Sequence, residues 1–97
     1  MAQFIALCRR DYDRFSEADF TPELLEQEAE RARALYTAGT FRAIWSRQDT
    51  PGAVILLEVG SLEEADAVLA SLPLAIREML ALDALVPLMA YRGFAPR

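Results

Sequence analysis

Residues Ala53 to Val59 read Ala-Val-Ile-Leu-Leu-Glu-Val, an almost unbroken apolar run that follows Pro51-Gly52 and precedes Gly60-Ser61. A strand sends successive side chains to opposite faces, so Val54 and Leu56 point one way and Ile55, Leu57 and Val59 the other. Both faces of such a strand must be covered. The chain has 97 residues, enough for a single domain with one core but not two. Helices packed on one face of a sheet leave the other face open. A second copy of the chain is the natural cover, and a homodimer packed sheet to sheet is expected.

The flanking segments supply the rest of the sheet and its helices. Ala2 to Arg9 is short, apolar and partly β-branched, and reads as a buried strand. Arg10 to Phe20 mixes charge with Tyr12, Phe15 and Phe20, and reads as a loop with its aromatics turned to the core edge or to a pocket mouth. Thr21-Pro22-Glu23 is a helix start, with a capping hydroxyl, a proline at the first helical position and an acid in the first turn. That helix is predicted to run to Ala38, where Gly39 supplies a left-handed stop. Thr40 to Arg47 forms the second strand, Gln48 to Gly52 a turn, and Ala53 to Val59 the third strand. Ser61 with Glu64 three residues on is a capping box for a second helix that buries Leu62, Ala65, Val68, Leu69 and Leu72. Pro73 to Ala81 fits a further short helical turn through Ile76, Met79 and Leu80. The last strand is expected over Ala84 to Tyr91. Pro87 inside it cannot donate to a ladder, which places it at a sheet edge. Arg92 to Arg97 is expected to be an irregular tail. The order is β-α-β-β-α-β, the split βαβ arrangement: an α+β domain with a four-stranded antiparallel sheet and two helices on one face.

Composition narrows the chemistry. The net charge is −5 with scattered basic residues, which argues against nucleic acid and against an anionic membrane surface. No apolar stretch approaches the roughly 20 residues of a membrane span, and no leader precedes the first strand-like run, so a cytoplasmic protein is expected. The single cysteine, Cys8, has no partner for an internal disulfide, and no histidine occurs. Ser-His and Cys-His nucleophiles, histidine-ligated haem and histidine-based zinc sites are thereby removed. Carboxylate, Arg, Tyr or shape must do the work.

One acid is out of place. On the first helix, at about 100° per residue, Glu28 falls roughly 40° from Leu24, inside the apolar arc of Leu24, Leu25, Ala29, Ala32, Leu35 and Tyr36. Glu23, Glu26 and Glu30 cluster on the opposite, solvated side. Glu28 has two readings. It snorkels to water or pairs with Arg31 or Arg42, or it sits between helix and sheet with a pKa raised by desolvation into the range of a proton shuttle. Arg42 alternates with Phe41 and Ala43 and is expected on the side of Ile44. There it either holds a substrate carboxylate or serves as counter-ion to Glu28. Trp45 is core, dimer interface or ligand platform, and strict alternation sets it opposite Arg42 unless a bulge intervenes. Tyr91 and Tyr36 each combine an apolar body with a hydroxyl, and Tyr91 joins Trp45 as a candidate substrate contact. Cys8 reads as a small core residue. Glu58 is a weaker second acid.

These residues resemble the pattern of muconolactone isomerase and its relatives. The resemblance runs through Leu24, Glu28 and Leu35, then Gly39, Arg42 and Trp45, and resumes at Val59, Ser61, Leu69, the run Ser71-Leu72-Pro73-Leu74, Val86 and Leu88. Its specific parts are Ser-Leu-Pro-Leu and the Gly-x-x-Arg-x-x-Trp spacing. It implies a ferredoxin-like chain of the dimeric α/β barrel type that can assemble further. It also implies a cofactor-independent isomerase of aromatic catabolism, moving a proton between carbons of an unsaturated lactone. Glu28 falls where the family carries its helix-one acid, and Arg42 and Trp45 match its strand-two residues. The chain departs from the family at Ala43-Ile44, where relatives place a histidine, and at Tyr91-Arg92-Gly93-Phe94, where they have a basic segment. Two other functions fit the same residues: a non-catalytic binding module for a small aromatic or acidic metabolite, and a cofactorless oxygenase of an aromatic or quinol.

Overall fold

The computed structural model describes residues 1–94; the last part of the expected tail, 95–97, lies outside the described residues. Four strands, β1 (Ala2–Arg10), β2 (Phe41–Ser46), β3 (Gly52–Val59) and β4 (Leu80–Pro87), form one antiparallel sheet in the order β2-β3-β1-β4. With α1 (Pro22–Thr37), α2 (Leu62–Ala70) and the single turn α3 (Pro73–Ile76), the architecture is ferredoxin-like α+β.

Local chemistry sets the helix ends as expected. Thr21 Oγ1 accepts the Leu24 N–H at 3.2 Å, Pro22 opens α1, and Gly39 at φ +83° turns the chain out of it. Ser61 Oγ caps α2 through the Glu64 N–H at 3.1 Å. Glu64 in return accepts from the Gly60 N–H at 2.9 Å, one residue earlier than a standard capping box.

One face of the sheet is the core. Phe4, Ala6 and Cys8 of β1 and Ile55, Leu57 and Val59 of β3 lie buried under Leu35, Ala65, Leu69 and Leu72. A second, smaller cluster, Phe20, Leu24, Leu74 and Met79, packs around the first turn of α1 and α3. The other face carries Ile5, Leu7, Val54 and Leu56, all half-buried, with Trp45 54% exposed.

Both edge strands are irregular, and each irregularity ejects a charged residue. In β2, Phe41 pairs with Leu57 and Ala43 with Leu56, leaving Arg42 as the extra residue of a bulge. In β4, Ala84 pairs with Leu7 and Leu82 with Cys8, leaving Asp83 extra. Asp83 accepts from Arg9 Nε at 3.0 Å and Arg47 Nη1 at 3.1 Å. Bulges and charges of this kind keep an edge from pairing with another sheet.

Several expectations are corrected. The last strand begins at Leu80, four residues before Ala84, because Glu78 at φ 59° ends the α3 turn abruptly and releases the chain into the sheet. It ends at Pro87, on an edge as expected, and Tyr91 lies beyond it. Leu62 is exposed, not buried, and Tyr36 at the end of the predicted apolar arc is 59% exposed. Arg92–Phe94 forms a short 3-10 turn in what was expected to be irregular tail.

Candidate functional site

The two clusters do not merge completely. Between them lies a cavity of about 260 Å³, walled by Phe41, Ile55 and Leu72 of the larger cluster and Leu74 of the smaller. Leu80 closes it on the β4 side, and Gly52, Ala53 and Ser46 line it at the β2–β3 end. Its wall is apolar apart from a few groups, and Glu28 is one of them.

Helical phase delivers Glu28 there. Leu24 and Leu35, four residues before it and seven after, are both buried on the same stripe of α1. Glu28 Oε1 accepts the backbone N–H of Leu74 at 3.0 Å. That donor is free because it belongs to the first turn of α3, where Pro73 occupies the opening position and Leu72 offers no capping side chain. No buried side-chain oxygen among the described residues lacks a partner. Oε2, which takes no hydrogen bond from the described residues, therefore keeps accessible surface. One carboxyl oxygen is fixed and the other is open.

Burial pushes the Glu28 carboxyl above its ordinary range, opposed by the Leu74 N–H and by the positive charge of Arg10. Arg10 lines the same cavity. Its guanidinium stacks over Phe20, 5.2 Å from the ring centroid, and reaches the Tyr12 hydroxyl at 3.4 Å. Cys8 lies on the same wall. Burial, with the nearby charges of Glu28 and Asp83, lifts its thiol to about 11, so it stays a neutral packing group.

A family model described as muconolactone delta-isomerase matches residues 8–91. The chain belongs to the muconolactone delta-isomerase family. No curated protein matches it in sequence. The matched span takes in every residue that lines the cavity, from Cys8 to Leu80.

Of the candidate site residues Glu28, Arg42, Trp45 and Tyr91, only Glu28 lines the cavity. Arg42 is not brought to it. The bulge in β2 puts Phe41 and Ile44, rather than Arg42 and Ile44, on the helix side. Arg42 Nη1 stands 3.9 Å from Glu58 Oε2, with half its side chain exposed, so neither Glu28 nor the cavity is its neighbour. Glu58 accounts for itself there and also accepts from Gln3 at 3.5 Å. Trp45 pairs with Val54 on the outer sheet face. Tyr91 is 70% exposed and packs edge to face on Phe94 at 5.1 Å, away from the cavity lining.

Arg10 is the cavity residue that sequence reading missed. The signal was present: Phe4, Ala6 and Cys8 set an even-numbered inward phase, and Arg10 continues it once β1 runs one residue further than expected. A second hollow, of about 330 Å³, lies at the start of α1 between Phe15, Leu24 and Met79. Its charged residues, Asp19, Glu23 and Arg77, are all exposed, so it lacks a desolvated group. Among the described residues no cluster of His, Cys, Asp and Glu could hold a metal ion, and no helix is long and apolar enough to cross a membrane.

Proposed function

We propose that the protein is a cofactor-independent isomerase that moves a proton between carbons of a small unsaturated lactone or related acid. The observation that carries this reading is the state of Glu28: half-buried on the wall of an apolar cavity, fixed through one oxygen, with the other taking no hydrogen bond from the described residues. As carboxylate, Oε2 takes a proton from a carbon beside the lactone carbonyl, and the electron pair delocalises into a dienolate. The resulting carboxylic acid returns the proton to the far carbon and the double bond has moved, with no net oxidation. A raised pKa suits both halves, because the group must accept and release a proton near neutral pH. Arg10, the cation on the cavity wall, holds the substrate carboxylate and offsets the dienolate charge. The anion-holding role that the family pattern assigns to Arg42 passes to Arg10 in this reading.

The working unit is a homodimer joined through the outer sheet face, where Ile5, Leu7, Val54 and Leu56 need cover and Trp45 is a contact. The test is turnover of unsaturated lactones by Glu28→Gln, whose amide oxygen can still accept from Leu74. Loss of about a hundredfold or more in kcat is expected for a lost proton carrier; an unchanged kcat rejects the assignment.

A second reading rests on the same hydrogen bond. Glu28 caps α3, and a cap needs no chemistry, so the cavity could serve a binding module for a small acid. Thermal stabilisation by unsaturated lactone acids without any product or solvent exchange would select that reading.

A further inference from the structure

The run Ser71-Leu72-Pro73-Leu74 makes two polar contacts with one stripe of α1. Leu74 N–H meets Glu28 Oε1 at 3.0 Å. Ser71 Oγ accepts from Arg31 Nη2 at 2.9 Å and Nε at 3.3 Å. The joined residues are three apart on both sides and run in opposite order, Glu28 to Leu74 and Arg31 to Ser71. Three residues of helix are nearly one turn, a rise of about 4.5 Å, so the contacts stack one above the other.

Each residue of the run has a place in this arrangement. The Ser71 hydroxyl donates to the Val68 carbonyl at 2.6 Å, which turns its lone pairs toward the guanidinium. Leu72 and Leu74 are buried in different clusters and pin the segment at two points. Pro73 has no N–H and a fixed φ, so the first donor after Leu72 is that of Leu74. Neither Ser71 nor Arg31 lines the cavity, so neither touches a molecule held there.

We propose that Ser71 and Arg31 form a positioning pair for Glu28: they close a clip that holds the Leu74 N–H on Oε1 and thereby fixes Oε2 as the oxygen presented to the cavity. The inference deepens the isomerase reading and rests on it for its functional meaning. The titratable and charged groups around Glu28 are Arg10 and Cys8 from β1, with Arg31 one turn along its own helix and turned to Ser71. The facing residues of α3, β2, β3 and β4 bring no titratable side chain to the cavity.

The test is amide NMR of the full chain. In the wild type, the Leu74 amide shift follows the ionisation of Glu28, and Glu28→Gln abolishes that dependence and so assigns it. In Ser71→Ala, the Leu74 titration should collapse and its hydrogen exchange should quicken about tenfold, as one restraining hydrogen bond is lost. Amides of β1 and β3 should keep their protection. Ser71→Thr, which retains the hydroxyl, should restore both signals, and Arg31→Gln should repeat the alanine result from the other partner. Unchanged titration and exchange at Leu74 in Ser71→Ala and Arg31→Gln would overturn the proposal. These signals need no turnover, so a protein that keeps the clip but isomerises nothing would reject the proton-carrier reading alone.

Discussion

At the scale of the residue, everything turns on one carboxyl. Helical phase was enough to mark Glu28, because an acid among Leu24 and Leu35 is a physical anomaly that period alone exposes. Its partner was not legible in the same way. Leu74 contributes a backbone N–H, and a backbone donor leaves no mark in composition; only the free first turn behind Pro73 makes it available. Arg42 lies off the cavity for the converse reason. Its side chain matched a pattern, but a bulge, which depends on pairing geometry across strands, decided where it points. The raised pKa of Glu28 has a consequence for stability. Folded Glu28 holds its proton more tightly than unfolded Glu28, whose ordinary value is 4.5. Below that value both states are protonated and the group contributes nothing. As pH rises from there through the raised folded value, the unfolded state ionises first and the native state loses stability. Melting temperatures of Glu28→Gln and wild type should therefore diverge in favour of the variant across that window and run parallel above it. Parallel curves throughout would mean that the carboxyl is not desolvated.

At the scale of the element, the bounds of α1, β1, β2 and β3 could be read almost to the residue, because cap residues, Gly39 and the turn at Pro51-Gly52 all agree. The segment after Pro73 could not. Its apolar residues suit helix and strand equally, and the chain leaves α3 through a left-handed Glu78, a conformation that no residue preference announces. The close approach of the two central strands at Gly52 is a further feature set by tertiary contact. A Cβ there would stand 2.1 Å from the Cys8 carbonyl oxygen and 2.8 Å from the Arg9 Cα, both backbone atoms that cannot swing aside. Gly52→Ala should force β1 and β3 apart at the cavity's end and cost about 2 kcal/mol or more. For a domain of this size that is a fall of about 10 °C in Tm, measurable by calorimetry. A fall of a degree or two would show that the ladder yields there at little cost.

At the scale of the whole molecule, the outer sheet face is the open question that the third strand posed from the start. Val54 and Leu56 are only half covered, beside Ile5, Leu7 and an exposed Trp45, while charged pairs border the strip at Arg42–Glu58 and Arg9–Asp83–Arg47. An apolar centre with a polar rim is the anatomy of an interface. The chain should scatter light as a dimer, and Leu7→Lys, which sets a charge in the centre of the strip, should halve the mass and red-shift the emission of Trp45, the only tryptophan. A wild-type monomer would contradict the proposed assembly. The central claim, that Glu28 carries the proton, is tested most directly by NMR of a small unsaturated lactone acid in deuterated water. Wild type should move the double bond and place solvent deuterium on the carbons that gain or exchange a proton, with Glu28→Gln slower in both by about a hundredfold or more; equal deuterium incorporation by the two proteins would contradict the account.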